Sequence, residues 1–241
     1  MKRLIFILSL FICSQNFASE QLFDLGNKQY INENYTEAIL IYDSILTSGS
    51  ESSELYYNLG NCHYQTNDWT NAIWHYEKSL QLKNNEKTIH NLELAKLKII
   101  DRIETLPQLF YKKWWNNLIQ TLSTQVWQIL TLFGVALIFI LQLLSQFTLK
   151  RKITTKIFHA ITVIILLITQ TSYHNNFIKK EAIIFSETIT VKSAPTSRST
   201  NLFTLHAGSK VEITDVIGDW INIKIANGNS GWIAQNSIKE L

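Results

Sequence analysis

A chain of 241 residues that is 46% hydrophobic, 17% charged and carries a net charge of +3 is too apolar for a disordered protein and too evenly charged for a nucleic-acid binder. Its two cysteines, Cys13 and Cys62, cannot make a disulfide framework, least of all if Cys13 is lost with a leader. Two prolines and eight glycines leave little room for long flexible linkers.

The average hides an uneven distribution. No Asp, Glu, Lys or Arg occurs in the 36 residues between Lys113 and Lys150, nor in the 22 between Lys156 and Lys179. Residues 19–111 hold thirteen acids against seven bases, and residues 178–241 hold six against seven. The positive excess therefore flanks the apolar stretches and reads as membrane topology.

In chain order, Lys2-Arg3 followed by Leu4–Ile12 and the small residues Ala18 and Ser19 forms a secretory signal peptide pattern over 1–18, with cleavage expected after Ala18. A lipoprotein reading at Cys13 is weaker, because bulky Ile12 stands where a small residue is expected.

Residues 19–104 contain a repeat. A shift of 34 positions aligns Leu25-Gly26-Asn27 with Leu59-Gly60-Asn61, Tyr30 with Tyr64, Tyr35 with Trp69, Ala38-Ile39 with Ala72-Ile73, Tyr42 with Tyr76 and Leu46 with Leu80. This spacing and these residue types resemble the tetratricopeptide (TPR) pattern. Small residues at 26, 38, 60 and 72 let paired helices approach, and Tyr42 and Tyr76 wedge between units. Asn34 and Asn67-Asp68 supply the turns between paired helices. Two units alone leave an apolar face uncovered, so a third amphipathic helix or cap is expected over Ile89–Ile103, bearing Leu92, Leu94, Ala95, Ile99, Ile100 and Ile103.

The TPR resemblance implies a concave peptide-binding face that includes Phe23, Asn27, Tyr30, Tyr57, Asn58, Asn61 and Tyr64. Asparagines there suit an extended backbone, and tyrosines suit its side chains. The alternative is that Asn27 and Asn61 only stabilise the fold. Asn27 and Asn58 stand at the asparagine positions of the carboxylate clamp of chaperone-binding TPR proteins. Phe23, Thr88 and Leu92 stand where that clamp is basic, so capture of a C-terminal carboxylate is not expected.

Residues 105–125 mix Phe110, Tyr111, Trp114, Trp115 and Leu118 with Lys112 and Lys113, as a helix lying at a bilayer surface would. Transmembrane helices are expected over 126–145 and 157–174, with the apolar runs Val126–Leu144 and Ile157–Tyr173 near the ~20 residues that span a bilayer. The alternative is a buried hairpin of a soluble protein. The loop 146–156 carries Lys150, Arg151, Lys152 and Lys156 and no acid, which makes it cytoplasmic. Both soluble segments then face the periplasmic side of the inner membrane, as the signal peptide independently implies.

Over 175–241 the pattern changes to short Ile-, Val- and Thr-rich strands. Strands are expected at Ala182–Phe185, Thr188–Lys192, Lys210–Val216 and Trp220–Ile225, and Asn227-Gly228-Asn229 makes a tight turn into Gly231-Trp232-Ile233. The succession Thr190–Pro195, Leu205 to Gly208, Gly218-Asp219-Trp220, Asn227-Gly228 and Gly231-Trp232-Ile233 resembles a bacterial SH3 domain, with Thr190-Val191-Lys192 where many members have Asn-Val-Arg. Trp220 and Trp232 are candidates to line a groove for peptide or glycan; the alternative is that they pack the barrel.

No catalytic chemistry is legible. The six histidines lack metal-ligand spacing, and GxSxG, HExxH and P-loop motifs are absent. Cys62 and His63 are neighbours on a helix, about 100° apart, and cannot form a nucleophile–base pair. No catalytic residue, metal or cofactor is expected, and no enzyme.

The fold class expected is thus a multidomain membrane protein with an all-α TPR domain, two transmembrane helices and a C-terminal all-β bacterial SH3-like barrel. That order of parts, with Asn91-Leu92-Glu93-Leu94-Ala95 and the Trp114-Trp115 approach, resembles the TPR–SH3 member of the Bacteroides aerotolerance (Bat) family. The resemblance implies sibling membrane proteins with von Willebrand type A domains and a MoxR-type ATPase as partners, and a role in envelope integrity or stress tolerance. The expected function is a membrane-anchored scaffold for protein–protein interactions. The alternative is a cell-wall sensor or anchor that binds peptidoglycan through the SH3-like domain.

Overall fold

The computed structural model describes residues 19–103, 106–107, 109–145, 152–174 and 179–241. The expected signal peptide and residues 146–151 of the expected loop lie outside them. The chain divides into two compact units, one comprising residues up to Glu104 together with Glu181–Leu241, the other Thr105–Lys180.

The first unit begins with five helices: α1 (residues 19–31), α2 (Tyr35–Thr47), α3 (Ser53–Gln65), α4 (Trp69–Leu82) and α5 (Glu86–Lys96). The 34-residue repeat produces two matching helix pairs for a steric reason. A Cβ on Gly60 would lie 2.5 Å from the Tyr76 ring, and one on Gly26 would strike Tyr42 in the same way. Only glycine lets these buried rings wedge against the preceding helix. The turns repeat as well. Glu33 (φ 62°) and Asn67 (φ 63°) both take the left-handed conformation, so Glu33, rather than Asn34, makes the tight step of the first turn. Asn34 precedes α2 and donates from its side chain to Gln29, while Asp68 caps α4 by accepting the Asn71 N–H.

The third helix departs from the expected Ile89–Ile103. α5 starts at Glu86 and stops at Lys96, and residues 101–103 are non-helical. A competing set of bonds takes over. The Asp101 carboxylate accepts from the His206 backbone N–H (2.6 Å) and the Ser209 hydroxyl (2.5 Å). Ile99 and Ile103 accordingly leave the helix face. Ile99 lies against Gly208, which has a left-handed φ of 91°, and Ile103 packs on the core of the C-terminal sheet.

That sheet has seven strands: β1 (Lys180–Ile184), β2 (Thr188–Lys192), β3 (Asn201–His206), β4 (Lys210–Ile217), β5 (Trp220–Lys224), β6 (Ser230–Ala234) and β7 (Ile238–Glu240). Their order is β3-β2-β6-β5-β4-β1-β7. The expected barrel is therefore corrected to a sheet that does not close, since β3 and β7 are its edges and no ladder joins them among the described residues. Alternate residues, including Val191, Ile221, Ile223 and Ile233, turn inward to one apolar core.

The sheet also supplies the cover that the repeat needs at its end. Ile183 of β1 joins Ile73, Trp74, Leu92 and Ala95 in one buried cluster. The Trp74 indole donates to the Glu240 carbonyl (2.9 Å), and Lys239 Nζ stands 3.6 Å from the Trp74 ring centre. Glu77, only 9% exposed, bridges Lys96 (3.3 Å) and Lys210 (2.8 Å), and Lys210 also reaches Glu181 (2.7 Å). Helical repeat and sheet form one packed body.

The second unit holds α6 (Phe110–Gln120), α7 (Thr124–Ser145) and α8 (Lys152–Tyr173). Both long helices start earlier than expected, α7 at Thr124 and α8 at Lys152. Their seam pairs hydroxyls, Thr124 with Ser172 (2.7 Å) and Thr131 with Thr169 (2.8 Å), and the Trp127 indole donates to the Ile119 carbonyl of α6. Thr124–Leu143 and Lys156–Tyr173 have mean hydropathies of 2.2 and 1.3, yet only 11% and 17% of these spans is buried. The two helices are long and apolar enough to cross a membrane, and they lack the burial of a soluble core hairpin.

Candidate peptide-binding groove

Helices α1, α3 and α5, with Tyr76 from α4, enclose a pocket of about 260 Å³ lined by Tyr30, Tyr57, Asn61, Tyr64, Gln65, Tyr76, Asn91 and Leu94. Of the seven residues expected on the concave face, it gathers Tyr30, Tyr57, Asn61 and Tyr64. Phe23 instead packs on Tyr42, with ring centres 5.9 Å apart. Asn27 and Asn58 bond to each other beside it. Thr88 and Leu92 are buried, so neither position offers a basic group to a ligand carboxylate.

The asparagines are organised by the wedge tyrosines. Asn27 Oδ1 accepts from the Tyr42 hydroxyl (2.7 Å) and Asn58 Nδ2 (2.8 Å). One repeat later, Asn61 Oδ1 accepts from the Tyr76 hydroxyl (2.8 Å) and Asn91 Nδ2 (2.8 Å). Asn91 Nδ2 also donates to the Tyr57 hydroxyl (3.2 Å). Burial pushes the Tyr42 and Tyr76 phenols far above their ordinary range, so both remain neutral donors. Each carbonyl of Asn27 and Asn61 thus has both lone pairs engaged. Fold stabilisation and exposure to the groove coexist in one side chain, because the other half of each half-buried amide has no bond among the described residues.

Gln65, Tyr76, Asn91 and Leu94 were not expected in the site. Asn91 was findable, because it lies 34 positions after Tyr57. Tyr64 and Tyr30 are held edge-on by Trp69 (5.1 Å) and Tyr35 (5.4 Å).

On the sheet, Trp220 and Trp232 are half-buried and alternate with the core residues Ile221 and Ile233, so both face away from the core. Asn222 opposes Trp232 and Trp220 opposes Ala234. The two tryptophans are therefore diagonal neighbours on adjacent strands, with Cα atoms about 7–8 Å apart by strand geometry.

Among the described residues, no three His, Cys, Asp or Glu side chains come together to hold a metal. Cys62 is fully buried, and burial pushes its thiol up to about 12. His63 contacts Asp68 (3.1 Å), not Cys62.

The helical pairs and the sheet are those of a chain that carries a tetratricopeptide repeat and a bacterial SH3 domain. Residues 53–86 match the family model of the tetratricopeptide repeat, and residues 187–239 match that of the bacterial SH3 domain. Both describe interaction modules rather than catalytic ones. No curated protein matches the chain.

Proposed function

We propose that the chain is a membrane-anchored periplasmic adaptor whose TPR groove holds a segment of a partner protein. The observation that carries this reading is the composite body: residues on both sides of the helix pair pack together as one unit. A body of that kind requires an even number of crossings between its two parts, which α7 and α8 supply as a hairpin. The basic loop and the N-terminal leader pattern then favour the periplasm for the body. By the likeness stated above, the assembly is the aerotolerance or envelope-stress complex in which the TPR–SH3 member of the Bat family serves, with siblings carrying von Willebrand type A domains as partners. The test is site-specific photo-crosslinking in cells. A crosslinker at Tyr64 is expected to trap such a sibling, whereas one at exposed Asp43 on α2 is not. Equal trapping from both positions, or from neither, would refute the adaptor reading.

The outward-facing, half-buried placement of Trp220 and Trp232 favours a second reading, a cell-wall anchor that binds peptidoglycan through the sheet. Purified sacculi would retain the full chain in detergent and lose it on double substitution of these tryptophans by alanine. No retention sinks this alternative.

A further inference from the structure

We infer that α6 is a lipid-contact helix: its bare apolar half lies in the bilayer surface beside the hairpin, and its two lysines take the headgroups of acidic phospholipids. The inference rests on the reading that α7 and α8 cross a membrane, and it adds the surface and the lipid class that α6 meets.

The residues of α6 sort into stripes spaced by four. Phe110, Trp114 and Leu118 form one stripe, and Tyr111, Trp115 and Ile119 form the next. Lys112 and Asn116 begin the third, Lys113 and Asn117 the fourth. One side of the helix is therefore apolar and the other polar, and each polar stripe that borders the apolar side starts with a lysine.

The hairpin covers only the C-terminal part of the apolar side. Trp115, Leu118 and Ile119 pack with Trp127, Ile165 and Ile168, and the Trp127 indole donates to the Ile119 carbonyl (3.0 Å). Phe110 and Trp114 remain 85% and 65% exposed, and Leu106, Leu109 and Tyr111 are exposed as well. The docked end of α6 is thus fixed at the start of α7, where a spanning helix meets the headgroups and tryptophan is favoured. The bare end continues the same apolar surface. A bilayer that holds the hairpin meets both.

Charge selects the lipid. Lys112 and Lys113 are exposed, and no Asp or Glu occurs between Glu104 and Glu181, so the second unit offers them no counter-ion of its own. A second copy of this unit docked on the same face would bring lysines together with no acid from either unit to offset them. Lipid phosphates supply the missing anions, and lysine side chains reach them from the border of an apolar face. A surface of acidic headgroups adds about fivefold in affinity for each lysine.

The test places bimane on single cysteines of the full chain in nanodiscs, in a Cys13→Ser background where the remaining Cys62 is buried. Phe110→Cys probes the bare face, Asn117→Cys the polar side and Phe133→Cys the middle of α7. The quencher is acyl-brominated phosphatidylglycerol or phosphatidylcholine. Quenching at position 110 is expected to approach that at 133 and to exceed that at 117 at least threefold. The acidic lipid should quench position 110 at a mole fraction about fivefold lower than the zwitterionic one, and the pair Lys112→Gln and Lys113→Gln should abolish that preference. Quenching at 133 without quenching at 110 overturns the inference and leaves the hairpin in the membrane; no quenching at 133 overturns the hairpin reading itself. Equal quenching of position 110 by both lipids overturns the choice of acidic headgroups. Shielding of position 110 from both brominated lipid and aqueous iodide puts protein on that face and overturns the inference as well.

Discussion

Asp101 is the tightest pin between the helical repeat and the sheet, and its removal should loosen their packing measurably. The carboxylate is 13% exposed and accepts from the His206 backbone N–H, the Ser209 hydroxyl and, at 2.7 Å, His206 Nδ1 in the tautomer that carries its proton there. Hydrogen bonds to an ionised acceptor contribute roughly 1.5–3 kcal/mol each, but three on one group do not add. Asp101→Ala also strands the His206 amide, for a combined cost of about 3–4 kcal/mol. Asp101→Asn keeps one acceptor for that amide and should cost about 1–2 kcal/mol. The assay is amide hydrogen exchange of the detergent-solubilised chain. Protection across β3, β4 and α5 should fall by about 10²–10³ in the alanine variant, at tenfold per 1.4 kcal/mol, and much less in the asparagine variant. Burial alone would raise the Asp101 pKa, yet the Ser209 and His206 donors overcome it and hold the carboxyl below its ordinary value. A depressed folded pKa means that the pin is fully present above roughly pH 4 and is lost as pH falls through the folded value. Wild-type exchange rates in Asp101→Ala would refute the reasoning.

Three further outcomes follow from the helical repeat. Gly60→Ala should destabilise the chain by about 1–2 kcal/mol in urea unfolding, because overpacking against Tyr76 outweighs the gain in helix propensity; in a Tyr76→Leu background the same change should be neutral or stabilising. Burial, assisted by nearby His63 and Lys239, holds the His75 imidazole well below its ordinary pKa. Its contribution is complete above about pH 6.5 and is lost as pH falls below that, at up to about 1.4 kcal/mol per unit, so His75→Phe should flatten the acid side of the stability profile. Cys62 in a Cys13→Ser background should resist iodoacetamide at pH 8 and react only once the chain is unfolded, since its thiol is both buried and pushed up to about 12.

The repeat and the strands were legible where one local rule sufficed. Gly26, Tyr42, Gly60 and Tyr76 declare their packing through spacing alone, and β2, β4 and β5 declare theirs through alternation. β3 escaped because Asn201, Leu202 and Thr204 of an edge strand are exposed and do not alternate cleanly, and β7 because three residues are too few to show a period. The end of α5 was misplaced for a different reason. Ile99, Ile100 and Ile103 fit a helical face, yet α5 ends at Lys96 and Asp101 bonds instead to residues 105 and 108 positions away. In the groove, residue type pointed to Tyr30, Tyr57, Asn61 and Tyr64. Which amide atoms are spent and which are free depends on contacts such as Asn61 to Asn91, which no local pattern encodes.

The composite body has a consequence for the hairpin that a deletion can expose. Ile73, Trp74 and Ile183 share one buried cluster although the α7–α8 pair separates Trp74 from Ile183 in the chain. If the pair crosses the bilayer, removing residues 152–174 leaves one crossing and strands the sheet on the opposite side from the repeat. Ile183, Lys239 and Glu240 are then unable to reach Trp74, and the end of the repeat presents its apolar face to water. The expected result is rapid protease cleavage within α4 and α5, while α1 to α3 persist longer because their cluster around Tyr42, Leu55 and Leu59 is independent of the sheet. Replacing α8 with an unrelated apolar helix of equal length should restore resistance, since only the parity of crossings matters to the packing of the body. Resistance unchanged by the deletion would mean that repeat and sheet still meet, and hence that the pair does not span a membrane.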